Sequence, residues 1–145
     1  MAPGLSGIGK GTVRGYEIDG NANLSLAQLD GVDLRGAFLF GSDFMEGEFN
    51  NADFRGADLA QAHFRAAGLS GADFRGADLA RADFYEADLH GAKFDKNTKL
   101  HGVSWRGVNL DPQKDKHIID LIERSFRMTL VDLRDPDAED YGDDE

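Results

Sequence analysis

No cysteine occurs anywhere in the 145 residues. Disulfides, thiolate metal ligands and thiol nucleophiles are therefore excluded, and the redox compartment leaves no trace. No apolar run approaches the roughly 18 residues that read as a membrane-spanning helix. Met1–Lys10 also lacks the basic stretch and apolar run of a secretory signal. Together these absences predict a soluble cytoplasmic protein with no membrane partner. Basic charge is scarce as well: 16 Lys and Arg face 27 Asp and Glu, for a net charge of −11. Such a chain lacks the basic footprint of direct nucleic-acid binding. Much of the acid is terminal, since residues 129–145 hold eight acidic residues and one Arg. That run reads as a flexible, solvated tail.

Catalytic constellations are equally sparse. His63, His90, His101 and His117 have no ligand spacing, so no metal or cofactor is expected. The stretch Gly4-Leu5-Ser6-Gly7-Ile8-Gly9-Lys10 begins like a phosphate-binding loop, but Gly11 stands where Ser or Thr must hold Mg²⁺. Asp is abundant at one repeated position, so its recurrence belongs to the repeat. The chain is expected not to be an enzyme, with no catalytic residue.

What the sequence does have is a strict period. From Leu24 to Phe94 every fifth residue is Leu or Phe: Leu24, Leu29, Leu34, Leu39, Phe44, Phe49, Phe54, Leu59, Phe64, Leu69, Phe74, Leu79, Phe84, Leu89 and Phe94. Two residues before each stands Ala, or once each Val32, Ser42 and Gly47. A helix turns about 100° per residue, so a five-residue step would scatter these side chains around its whole circumference. A flat strand alternates faces with period two, so an odd step would send successive large residues to opposite sides. A chain that turns a corner every five residues satisfies both constraints. Within each short side the small residue and the Leu or Phe point inward together, and four corners close a coil of twenty. Near copies spaced by twenty support this: Val32–Ala37 (VDLRGA), Ala52–Ala57 and Ala72–Ala77 (both ADFRGA).

The motif of Ala52-Asp53-Phe54-Arg55-Gly56, with its variant Ala77-Asp78-Leu79-Ala80-Arg81, resembles the pentapeptide repeat family. The resemblance covers residues 22–94 cleanly and reaches about 110 after a one-residue slip. It implies an all-β solenoid, a right-handed quadrilateral β-helix with the small residue and the Leu or Phe inside. At the ~4.8 Å spacing of neighbouring strands, residues 22–110 would make about 4.5 coils and a rod roughly 21 Å long.

The ends depart from the repeat. Residues 1–21 continue the five-step through Ile8, Val13 and Ile18, predicting an irregular N-terminal cap or degenerate coil. One extra residue separates Ile18 from Leu24, and a second slip at Asp95–Lys99 precedes Leu100, Trp105 and Leu110, with Thr98, Val103 and Val108 as their inward partners. Asp111-Pro112 reads as a helix N-cap followed by Pro at the first helical position. The apolar spacing of Ile118, Ile119, Leu121, Ile122 and Phe126 predicts an amphipathic helix within residues 111–128, followed by the tail 129–145. This helix is expected to cap the last coil, and the same residues could serve a homodimer contact.

On the surface, the face centred on Leu34, Phe54 and Phe74 pairs Arg35, Arg55 and Arg75 with Asp33, Asp53 and Asp73 in a self-compensating ladder. Two adjacent faces carry Asp43, Glu46, Glu48, Asp83, Glu86 and Asp88. On the fourth, Phe38 and Phe40 flank inward Leu39 and so point outward, with Met45 at the next corner. Exposed aromatic pairs are unusual in a soluble monomer. Either the N-terminal segment, with Leu5, Ile8 and Tyr16, folds over them, or they bind a partner. The expected function is a non-catalytic binding or assembly module that presents a rigid rod to a protein partner. The alternative, implied by the family resemblance, is a DNA mimic that binds a type II topoisomerase (gyrase) through the acidic faces in competition with DNA.

Overall fold

The structure, a computed structural model, describes the backbone of residues 11–134 and the side chains of 13–125. From residue 22 to about 110 the chain winds as a four-sided helix of stacked coils. Parallel bridges join the residue before each Leu or Phe to its counterpart twenty residues on: Asn23, Asp43, His63 and Asp83 on one face, Gln28, Glu48, Gly68 and Asp88 on the next. The third face runs Asp33, Asp53, Asp73, Lys93, and the fourth runs Phe38, Asp58, Asp78. After the slip the step becomes twenty-one, with Asp78 facing Lys99, Asp83 facing Ser104 and Asp88 facing Asn109. Two faces thus have five levels and two have four, which makes four and a half coils, as the period predicts.

The corners from Leu24 to Ala92 share one construction. The N–H of the small residue closes a turn on the carbonyl of the preceding Leu or Phe, as from Ala27 to Leu24 at 3.2 Å and from Ala52 to Phe49 at 3.1 Å. The third residue of the turn has positive φ, for example Gly56 at 69° and Ala66 at 55°. That is the signature of a type II turn. Around it the ladder is continuous: Leu24 N–H donates to the Asp43 carbonyl at 2.7 Å, and Asp43 N–H to the Ala22 carbonyl at 2.9 Å.

The whole Leu/Phe series from Leu24 to Leu89 is buried, and so are its small partners. Phe44, Phe64, Phe84 and Trp105 stack one above another, with centroids 4.5, 4.9 and 5.3 Å apart. Phe54, Phe74 and Phe94 form a second column at 5.1 and 5.4 Å. The columns meet edge to face, as where Phe54 and Phe64 lie 5.9 Å apart at 84°. Such contacts contribute about 0.5–1.5 kcal/mol each beyond the buried area.

Both ends differ from the sequence expectation in detail. At the N-terminal end there is no further coil over residues 11–18. Strands β1 (Gly11–Val13) and β2 (Tyr16–Ile18) pair antiparallel as a hairpin, with Val13 opposite Tyr16. Arg14 and Gly15 both have positive φ, the arrangement of a two-residue type I′ turn. Ile18 enters the core, Val13 and Tyr16 pack against it, and Arg14 reaches the Asp30 carbonyl at 3.5 Å. The hairpin therefore lies across the open end of the first coil. Ile8 and Leu5 lie outside the described residues.

At the other end a separate turn precedes the helix. Asp111 Oδ1 accepts the N–H groups of Gln113 at 2.8 Å and Lys114 at 3.0 Å, so Asp111 is a cap, but of this turn. Helix α1 spans Lys116–Arg134, which carries it past residue 128 into the expected tail. Ile118 is fully buried and Ile122 packs on the core, while Trp105 Nε1 donates to Ser125 Oγ at 2.9 Å. Positions 118, 122 and 125 form one stripe that closes the rod. Ile119 and Leu121 are half-buried on its flanks. The side chain of Phe126 lies outside the described residues.

Candidate functional site

With the interior filled by its own side chains, the outward positions remain for function. Most outward Asp residues have a local task. Asp33, Asp43, Asp53, Asp58, Asp73, Asp78, Asp83 and Asp88 each accept the backbone N–H two residues ahead at 2.9–3.2 Å. This is the Asx turn, which satisfies an outward N–H that the ladder leaves over. It gives the physical cause of the repeated Asp.

The Arg face is the compensating ladder that the sequence suggests. Arg35, Arg55 and Arg75 lie 2.8, 2.7 and 2.6 Å from Asp33, Asp53 and Asp73. Arg35 and Arg55 also approach the Asp of the next coil, at 3.8 and 3.7 Å. Hydrogen bonds from Arg35 and Arg55 hold the carboxyls of Asp33 and Asp53 below the usual range. At Asp73 burial pushes upward, but the bonds from Arg75 outweigh it and the net direction is down.

Phe38 and Phe40 do point outward, with 44% and 37% of their surface exposed. The Phe38 ring lies over Gly20, where a Cβ would come within 2.6 Å of a ring carbon, so the chain just after the hairpin forms its floor. Tyr16 packs against the core. Met45 does not share the face of the two Phe. It is half-buried at the far edge of the neighbouring face, beside Leu26, whose N–H donates to the Met45 carbonyl at 2.9 Å. Leu26 is 67% exposed. Tyr85 is a further outward aromatic, half-buried under the Arg65 guanidinium at 4.7 Å from its ring centre.

The six acidic residues stand on two adjacent faces as expected. Their columns alternate, however: His63 separates Asp43 from Asp83, and Gly68 separates Glu48 from Asp88. Ala66 takes the same place between Glu46 and Glu86 by the twenty-residue register.

A shallow concavity at the joint between coil and cap brings His90 and His117 together with Asp111, Lys114 and Asp115. Sequence spacing gave no sign of this. His90 Nδ1 shares a hydrogen bond with Asp88 Oδ1, which raises the imidazole pKa, and the charges of Asp115 and Asp111 add to it. Asp115 is buried, and its carboxylate accepts the N–H of Gly91 at 3.0 Å and of Asp111 at 2.8 Å. Among the described residues no group of three or more His, Cys, Asp or Glu could hold a metal ion. No described helix is long and apolar enough to cross a membrane.

The model of the pentapeptide repeats matches residues 22–61 and 57–95, with eight copies. The chain belongs to the pentapeptide repeat family. Its rod is the right-handed quadrilateral β-helix of that family. Comparison with curated proteins gives no match. Among solved structures it is similar to trypsin-treated QnrB1, a plasmid-mediated fluoroquinolone resistance protein, at 20% identity over 66% of this chain and 56% of that one, with a TM-score of 0.33. A pentapeptide repeat protein of the Arabidopsis thaliana thylakoid lumen is 25% identical over 67% of this chain and 69% of its own, with a TM-score of 0.31. HetL, involved in heterocyst differentiation regulation in the cyanobacterium Nostoc sp. strain PCC 7120, is 27% identical over 65% and 51%, with a TM-score of 0.19. The chain thus spans little more than half the length of QnrB1 and of HetL.

Proposed function

We propose that this pentapeptide repeat protein is a non-catalytic binding or assembly module, a rigid rod that offers the Phe38 and Phe40 pair to a protein partner. The observation that carries this is the contrast between these two rings and the other Phe of the rod. Phe44, Phe49, Phe54, Phe64, Phe74 and Phe84 are wholly buried, whereas Phe38 and Phe40 stay exposed on a rigid frame. Fully burying a Phe is worth about 1.5–3 kcal/mol, so the surface that these two rings still expose is worth ~1–2.5 kcal/mol together, enough to anchor a partner with little reorganisation. The double variant Phe38→Ser/Phe40→Ser should stay folded, since neither ring belongs to the inward series, and should lose a partner captured by the intact protein. Retention of that partner would refute the reading.

A second reading has one observation in its favour. Of Asp43, Glu46, Glu48, Asp83, Glu86 and Asp88, only Asp88 has an ion-pair partner among the described residues, His90. Two adjacent faces are therefore left negative, which suits a DNA mimic acting on a type II topoisomerase such as gyrase. The alternation of the columns counts against it. Acids on every second coil recur about 9–10 Å apart, while duplex DNA carries a charge per ~1.7 Å of axis. Neutralising the six should abolish inhibition of DNA supercoiling if the mimic is real, and absence of any effect of the intact protein at low salt excludes it. A homodimer through α1 would use Ile119 and Leu121, half-buried on the flanks of the capping stripe, and sedimentation of the intact protein tests it.

A further inference from the structure

The exposed apolar side chains share one end of the rod with three acids that have no ion-pair partner among the described residues, Asp43, Glu46 and Asp58. Phe38 and Phe40 lie on the first level of one face. Leu26 and Met45 lie at the far edge of the next. Between these two apolar points, by the register of the coils, stands Asp43, and Asp58 pairs with Phe38 on the following coil. Glu46 follows Met45 at the corner and is exposed.

The charge on these levels has no internal balance. On the Arg face each Asp has a guanidinium within 2.8 Å. Asp43, Glu46 and Asp58 have no ion-pair partner among the described residues, and the first two levels of their faces carry no Lys or Arg. The cations that these faces do carry come later: Arg65 is stacked on Tyr85, and Arg81, Lys99 and Arg106 lie further along the rod. Asp43 and Asp58 each spend one oxygen on a backbone N–H, that of Met45 and of Ala60.

Resting on the binding-module reading, we propose that the partner is a basic, amphipathic protein segment with a Lys or Arg set between two apolar side chains. The apolar groups seat on the Phe38/Phe40 pair and on the Leu26/Met45 edge. The cation meets Asp43 between them, with Asp58 and Glu46 at the margins. Aromatic faces attract cations as well, so the Phe pair favours the same chemistry. An acidic or purely apolar segment would leave these carboxylates facing like charge or stripped of water, and both are costly.

A random peptide display library selected on the full-length protein tests this. Peptides are kept if they bind wild type at least about fivefold more tightly than Phe38→Ser/Phe40→Ser, a margin below what the remaining exposed surface of the two Phe supplies. These peptides should be enriched in Lys and Arg adjacent to apolar residues. Their affinity should fall about three- to tenfold on Asp43→Asn/Glu46→Gln/Asp58→Asn, and should weaken between 50 and 300 mM salt, a range that is roughly where surface charges become screened. Asn keeps the oxygen that accepts the backbone N–H, so the turns survive and a melting curve checks this. Phe-dependent peptides without basic enrichment, or indifferent to the triple variant, would overturn the charge inference and leave the binding module standing. Recovery of no Phe-dependent peptide would overturn both.

Discussion

At the scale of single residues, the corners store a graded strain. One corner column is entirely glycine, at Gly36, Gly56 and Gly76, while another holds Leu26, Glu46, Ala66 and Glu86 at φ near 60°. A side chain in the left-handed region costs about 1–2 kcal/mol. At Gly56 an added Cβ would meet nothing within 4 Å, so only that backbone cost applies. Gly56→Ala should therefore destabilise by about 1 kcal/mol, and Ala66→Gly should stabilise by a similar amount despite the extra freedom of the unfolded chain. Urea midpoints of the two variants should move in opposite directions. A shift of the same sign in both would mean that the corners are not held by the turn geometry.

At the scale of elements, side chains replace backbone wherever the repeat is broken. The residue inserted after Phe94 displaces the carbonyl that Gly76 would meet, and Asp95 Oδ1 takes its N–H at 3.0 Å. Where the last coil ends, Asp115 does the same for Gly91. Asp115→Ala would orphan the N–H groups of Gly91 and Asp111, at about 1–3 kcal/mol each, and Asp115→Asn should recover part of that loss in a denaturant melt. The neighbouring His90 adds a pH dependence. Its folded pKa lies above the ordinary value of about 6.5, so its contribution is complete below that pH and is lost as pH rises through the raised value. The melting temperature of wild type relative to His90→Gln should therefore shrink from about pH 6 to pH 9, and a constant difference would refute the His90–Asp88 pairing. Periodicity made the coils legible because one inward position per five residues overrides everything local. It could not find Asp115, which in sequence is one more acid near a helix start. The hairpin escaped for the opposite reason: Val13 and Ile18 keep the five-step while Arg14-Gly15 turns the chain back, and Arg is a weak signal for that turn. Phe38 and Phe40 were legible as outward residues, and Met45 as the residue at the next corner.

At the scale of the whole molecule, each coil touches only the coil above and below, through contacts offset by twenty residues up to the insertion after Phe94 and by twenty-one beyond it. Length is then a free parameter and only the two ends are specialised. Deleting residues 53–72 joins Ala52 directly to Asp73 and regenerates the sequence Ala-Asp-Phe-Arg-Gly-Ala without a seam. The excised chain should fold, with the hairpin and helix still in place and a rod about 4.8 Å shorter by strand spacing. Deleting 53–70, two residues fewer, leaves two extra residues at one corner and should give a less stable fold than the twenty-residue deletion, as denaturant melts of the pair would show. A gene for such a chain can therefore gain or lose sixty bases in frame and yield a rod of new reach with both of its ends intact.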